Sequence, residues 1–217
     1  MARILAGGLV LVMIYVLGGC GGGEDTMFLA IPTFPARGIQ VASEGQGVRI
    51  RVLRLEDRRH ETAMLGLRRG RFGTLDLYPI QVAGGDVGRA VANAMTRYLR
   101  ERGWRVRTNG DIDPSFPDVT LTGEVQDFRL DAVATGLSTT MTAKAVFVFE
   151  WVNQVDGSEY RIPVSAAQER RVYWFTKEDA QRLINEVVAE SLEQFVHKVR
   201  QDGVLLQPAG LASQETG

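Results

Sequence analysis

The sequence predicts an α/β (α+β) two-layer sandwich, a mostly antiparallel sheet with two helices packed on one face, in the order β-α-β-β-β-β-α. Two segments with a helical apolar period and capping residues stand far apart, at 86–103 and 176–203. Between them, 118–172 holds three long runs that alternate apolar and polar residues, the period of strands with one buried face. The chain of 217 residues is 45% hydrophobic, enough for one core of ordinary domain size plus tails.

"GVRIRVLRLEDRR" opens the domain at residue 48, with Val48, Ile50 and Val52 alternating with Arg49 and Arg51 as in a half-buried strand. "HETAMLGLRRGRFGTLDLYPIQVAGG" follows without a clear period and is expected to be a long loop or an irregular hairpin. The first helix starts from Asp86 as N-cap and stops at Gly103; Val87, Val91, Ala94, Met95 and Tyr98 form its apolar stripe. "WRVRTN" then leaves it as a short strand. In "DVTLTGEVQDFRLDAV" the buried parity runs through Val119, Leu121 and Val125, then switches to Phe128 and Leu130, which calls for a bulge near Gln126 and Asp127. "STTMTAKAVFVFEWVN" places Met141, Ala143, Ala145, Phe147, Phe149 and Trp151 on one face. Asp156-Gly157 marks a hairpin turn, and Pro163 gives the returning strand an exposed edge. Thr176, with Asp179 three residues on, caps the last helix, whose stripe runs from Ala180 through Ile184, Val187 and Ser191 to Val199.

The start of the chain has a different composition. Arg3 precedes an apolar run from Ile4 to Val16, too short for a comfortable transmembrane helix and of the length of a signal-peptide h-region. The run ends in Leu17-Gly18-Gly19-Cys20, which resembles a bacterial lipobox. Small residues admit the backbone to a peptidase site, and the thiol accepts a diacylglyceryl group. Cleavage between Gly19 and Cys20 would leave Cys20 as the first residue, carrying an S-diacylglycerol and an N-acyl chain such as palmitate, enough for stable anchoring. Gly21 in the next position favours the outer membrane, periplasmic face, over the inner membrane. The expected organisation is a lipoprotein signal peptide at 1–19, a lipidated N-terminus and flexible tether at 20–47, the α/β domain at 48–203 and a disordered tail at 204–217. Within the tether, "MFLAIPTF" can pair as an edge strand.

The ordered set of motifs resembles the YajG-type family of bacterial outer-membrane lipoproteins. The residues that carry it are the lipobox at Leu17–Cys20, "VRIRVLRLEDRR" with Asp57 and Arg59, "VANAMTRYLRERGWRV", "DVTLTGEVQDFRL", "TAKAVFVFEWVNQVDG" and the last helix. The resemblance covers roughly residues 45–203 and implies a non-enzymatic, periplasm-facing envelope lipoprotein, with a membrane anchor, a protein partner in the envelope and no catalytic residues to transfer. Similar small domains serve as auxiliary lipoproteins of lipid-trafficking transporters of the ABC or MCE type, the alternative reading.

Composition narrows the chemistry. A formal charge of −1 excludes the basic bias of a nucleic-acid binder. Cys20 is the sole cysteine, so no intrachain disulfide or Cys-based zinc site can form; with only His60 and His197, a His-rich metal site is excluded too, and no cofactor is implied. Neither histidine has a nucleophile pattern beside it, the acid pairs Glu56–Asp57 and Asp111/Asp113 read as strand-end and turn solvation, and the glycines match no phosphate loop. The remaining candidate is an arginine-rich segment: Arg58, Arg59, Arg68, Arg69 and Arg71, suited to an anionic headgroup or an acidic partner if the loop folds over the strand.

Overall fold

The computed structural model describes residues 26–31, 48–70, 77–108 and 118–201. Among them lies a nine-stranded sheet with two helices. The strands are β1 (Met27–Leu29), β2 (Arg49–Val52), β3 (Glu56–Asp57), β4 (Gly66–Arg69), β5 (Leu77–Val82), β6 (Arg105–Thr108), β7 (Val119–Thr135), β8 (Ser138–Asn153) and β9 (Glu159–Val172); the helices are α1 (Val87–Glu101) and α2 (Lys177–Gln201).

The spine of the sheet is β7. One side pairs antiparallel with β8 from Val119↔Asn153 to Thr135↔Ser138, and β9 pairs antiparallel beyond β8. On its other side β7 meets β2, β3 and β4 in succession along its length, each parallel to it. β6 flanks β2, and β5 flanks β4 and carries β1 on its far side. Most paired residues are therefore antiparallel, as the sequence predicts. The unanticipated addition is the two-residue strand β3. It is too brief to display a period of two, and its place is fixed by pairing with β7 rather than by its own pattern.

The glycine-rich segment after His60 resolves into the irregular hairpin β4–β5, with its turn outside the described residues. The edge strand anticipated in "MFLAIPTF" is β1, parallel to β5 with Leu29 buried. The sheet thus begins at residue 27, inside the segment read from sequence as tether.

The bulge sits where the parity change demanded it. Register shifts between Val125 and Asp127, and on either side of it Leu121, Val125, Phe128 and Leu130 are all buried, directed to one face. That face also carries the alternate residues Met141 to Trp151 of β8, every one of them essentially inaccessible. Both helices cover it. Phe195 of α2 packs against Phe149 with ring centroids 4.9 Å apart and against Trp151 at 6.3 Å, while the α1 stripe joins the same cluster. Burying each Leu, Val or Phe of these stripes contributes about 1.5–3 kcal/mol, which is what holds both helices down.

Local signals place the helices. The Asp86 carboxylate accepts the Arg89 backbone N–H at 2.9 Å, and Gly103 closes α1 at φ 84°, a conformation that costs a residue with a Cβ. Gly88 lets α1 settle on the chain between β2 and β3, since a Cβ there would lie 2.0 Å from the Leu55 carbonyl oxygen. At the start of α2 the Thr176 hydroxyl accepts the Asp179 N–H at 3.1 Å and donates to its carboxylate at 2.7 Å.

The long strands give the domain two ends. The upper end holds the β7–β8 turn at Gly136-Leu137, the exit of β9 and the start of α2. The lower end holds the start of β7, the β8–β9 turn at 154–158 and the entry of β2 and β6.

Candidate functional site

Among the described residues, Arg58, Arg59, Arg68 and Arg69 do not assemble into one patch. Arg59 turns inward and is buried. Its guanidinium donates to both Asp57 carboxylate oxygens at 2.9 Å, to the Met64 carbonyl at 2.9 Å, to the Thr62 carbonyl at 3.2 Å and to the Phe128 carbonyl at 3.3 Å. Every arm of the fork is spent on holding the β3–β4 connection against β7 beside its bulge. The Asp57-x-Arg59 motif is therefore a brace of the fold, with nothing left for an external anion.

Arg58 is exposed on the opposite face, paired with Glu56 at 2.9 Å and Glu124 at 3.5 Å. Arg68 lies in a different place again. Its guanidinium carbon stands 4.7 Å from the centre of the Phe175 ring and 5.4 Å from that of Tyr78, pinning the β9–α2 connection to the β4–β5 hairpin. Arg69, next along β4, is exposed at the upper end and has no ion pair among the described residues. Arg71, Gly19 and Cys20 lie outside the described residues, as do Asp111 and Asp113. Of the arginines that precede this segment, Arg49 pairs with Asp118 at the lower end through Nη2–Oδ1 at 2.7 Å, and Arg54 with Asp86 at 2.9 Å. The Arg49 hydrogen bonds outweigh partial burial and hold the Asp118 carboxyl below the ordinary aspartate range.

His60, on the β3–β4 connection, and His197, on α2, are both exposed. His60 stands at the mouth of a cleft of about 580 Å³ between the β3–β4 connection and the bulged part of β7. Glu61, Gln126, Asp127, Arg129 and Asp131 line its polar side and Met64 and Phe128 its apolar side. Asp127 is already paired with Lys144 at 3.0 Å. Among the described residues no group of three His, Cys, Asp or Glu side chains is placed to hold a metal ion. The only sequence signal for this cleft is the parity change at Gln126.

A second feature was missed altogether by the sequence reading. Leu137, Tyr173 and Trp174, each 77% exposed, all lie at the upper end of the domain. Their signal was available: three apolar residues at a turn and at a strand exit, where the alternating pattern gives them no core to enter. Arg171 joins the two segments, its Nε donating to the Ser138 hydroxyl at 2.7 Å. Among the described residues, no helix is long and apolar enough to cross a membrane.

No family model matches the chain, and no curated protein does. Solved structures do. Protein XCC0632 from Xanthomonas campestris, of family DUF330, superposes with a TM-score of 0.53 at 13% identity, over 82% of this chain and 98% of that one. The two share a fold. Lipoprotein GNA1162 from Neisseria meningitidis matches more loosely, with a TM-score of 0.36 at 14% identity over 69% of this chain and 99% of its own. The protein CT253 from Chlamydia trachomatis gives 0.38 at 10% identity, over 70% and 95%.

Proposed function

We propose that this chain is a lipid-anchored envelope lipoprotein, processed before Cys20 and carried on the periplasmic face of the outer membrane. Its α/β domain serves as a non-enzymatic binding or accessory module for an envelope protein partner. The observation that carries the reading is the coincidence of the sole cysteine with the Leu17-Gly18-Gly19-Cys20 motif at the end of an apolar run, followed within a few residues by the first strand of a folded domain. The likeness in fold to the Xanthomonas protein agrees with the YajG-type reading of the motifs without singling out that family. The saturated bonding of Arg59 beside the cleft supports a binding surface with a rigid wall rather than a reaction centre.

Feeding cells an alkyne-tagged palmitate and recovering the protein tests the anchor. The tag is expected on the wild-type chain and absent from the Cys20→Ser variant, with the N-terminal peptide beginning at a triacylated cysteine. A free thiol at position 20 in the mature protein refutes the reading. Fractionation of the two membranes then decides the compartment, and crosslinking in intact cells identifies the partner.

A further inference from the structure

The upper end of the domain is the one from which the anchor must arrive. β1 runs parallel to β5, which runs antiparallel to β4 and therefore antiparallel to β7. Its first residue, Met27, thus points toward the end that holds the Gly136-Leu137 turn. The register places Met27 level with Ile80, Gly66 and, through the Leu130 N–H bond to the Leu65 carbonyl, Leu130 of β7. From Leu130 to the turn is six residues of strand, about 20 Å at 3.3 Å per residue. Six residues also separate Cys20 from Met27, a span of at most about 24 Å when fully extended. The leash is just long enough to bring Cys20 level with the turn, and too short to let the domain stand off with that end turned away.

The side chains waiting there have the chemistry of a bilayer interface. Tyr173 and Trp174 are amphipathic rings, Leu137 is a turn-tip aliphatic, and all three are largely in solvent. Val172 pairs with Thr139, so the two aromatics leave β9 at the height of the β7–β8 turn. Arg69, Arg171 and Lys177 are exposed at the same end without ion pairs among the described residues; Glu169 and Glu178 are the exposed acids near them. Rings at headgroup depth with cationic side chains around them favour a surface of anionic lipid.

We propose that this end docks on the bilayer that holds the anchor. Leu137, Tyr173 and Trp174 enter the interface, and the basic residues meet lipid phosphates. The inference rests on the lipid-anchor reading and fixes the orientation of the domain: strands steep to the membrane, and the lower end and the β9 edge turned to the periplasm.

Trp174 supplies the probe, because Trp104 and Trp151 are buried. Full-length mature protein with its anchor is reconstituted into vesicles of phosphatidylethanolamine and phosphatidylglycerol. Trp174 emission is expected to shift to the blue, to become several-fold less accessible to acrylamide and to be quenched by lipids brominated near the headgroup. The Leu137→Ser/Tyr173→Ser variant, still anchored and with unchanged circular dichroism, should recover acrylamide access. Lipidated, vesicle-bound protein whose Trp174 stays open to acrylamide and unquenched by brominated lipid overturns the docking and leaves the anchor standing. An unmodified Cys20 in the N-terminal peptide, read by mass spectrometry, refutes the anchor and this inference with it.

Discussion

The three tryptophans divide between the two ends of the molecule, and their environments are opposites. At the lower end Trp104 and Trp151 meet edge to face, 6.1 Å apart with planes at 86°, and Phe195 closes over Trp151. Around them the chain is tied to itself. Asp118 clamps Arg49, the Gln154 N–H donates to the Asp118 carbonyl, and the β8–β9 turn is held by Asp156 accepting from the Ser158 backbone and hydroxyl. At the upper end Trp174 has most of its surface in water, beside an exposed tyrosine and leucine. The lower end buries both of its tryptophans, although Tyr160 and Val155 are exposed there, while the upper end leaves its tryptophan in solvent. Folding alone gives no reason to gather three largely exposed apolar side chains at one end, and such a cluster is what the proposed docking on the bilayer would use.

The sharpest way to break this comparison is to truncate the buried member. Trp151→Ala removes a side chain that is 1% exposed, and is expected to cost about 3–5 kcal/mol in urea unfolding. A loss under about 1 kcal/mol would mean that the packing around Trp151 is not what holds the lower end together. Arg59→Met comes next. It leaves Asp57 and three backbone carbonyls without their donor, and breaking a buried ion pair of this kind costs about 3 kcal/mol. Loss of protection at the Met64–Leu67 amides in hydrogen exchange should accompany it, since Arg59 secures that connection.

Asp118→Asn probes the lower end more gently. The pair with Arg49 is partly solvated, which limits the expected loss to about 1 kcal/mol at neutral pH. Its sign with pH is fixed by the direction of the shift. The folded state holds the Asp118 carboxyl lower than the unfolded chain does, so the stabilisation is present in full above the unfolded value of about 4 and fades as pH falls through the lower, folded value. The difference between wild type and variant should therefore close in acid. A gap that stays constant down to the acid limb would show that the carboxylate charge is not what Arg49 reads.

Much of this architecture was legible in the sequence because the long elements repeat their signal many times. From Met141 to Trp151 every second residue of β8 is apolar and buried, and the parity switch in β7 located the bulge to within a residue. α1 and α2 carry caps, stripes and stop residues that agree with one another. The short strands left no such trace. β3 is two residues long, and β4 and β5 gain their identity from β7 and from each other. The site was legible only in part for a related reason. A run of arginines gives no sign of which guanidinium turns inward, and Arg59 differs from Arg58 only by strand parity and by the carbonyls that the bulge exposes. Likewise, the value of β1 lies in its direction, which comes from the pairing of three strands and not from its own residues.

The smallest expected effect is the most telling for the comparison. In water, without membranes, Trp174→Ala should change unfolding stability by no more than about 0.5 kcal/mol, the range of substitutions that disturb no packing. The adjoining cap gives a reference at the same end. Thr176→Ala removes the acceptor for the Asp179 N–H and should cost about 1 kcal/mol. Arg68 already anchors this connection through Phe175 rather than through Trp174, and Trp174 is 77% exposed, so little packing is lost with it. If Trp174→Ala instead costs as much as the cap variant or more, the ring contributes to folding, and its exposure is not a reserve for the bilayer. A neutral result in water together with a large change in vesicle quenching would separate the two ends by purpose as cleanly as they are separated by burial.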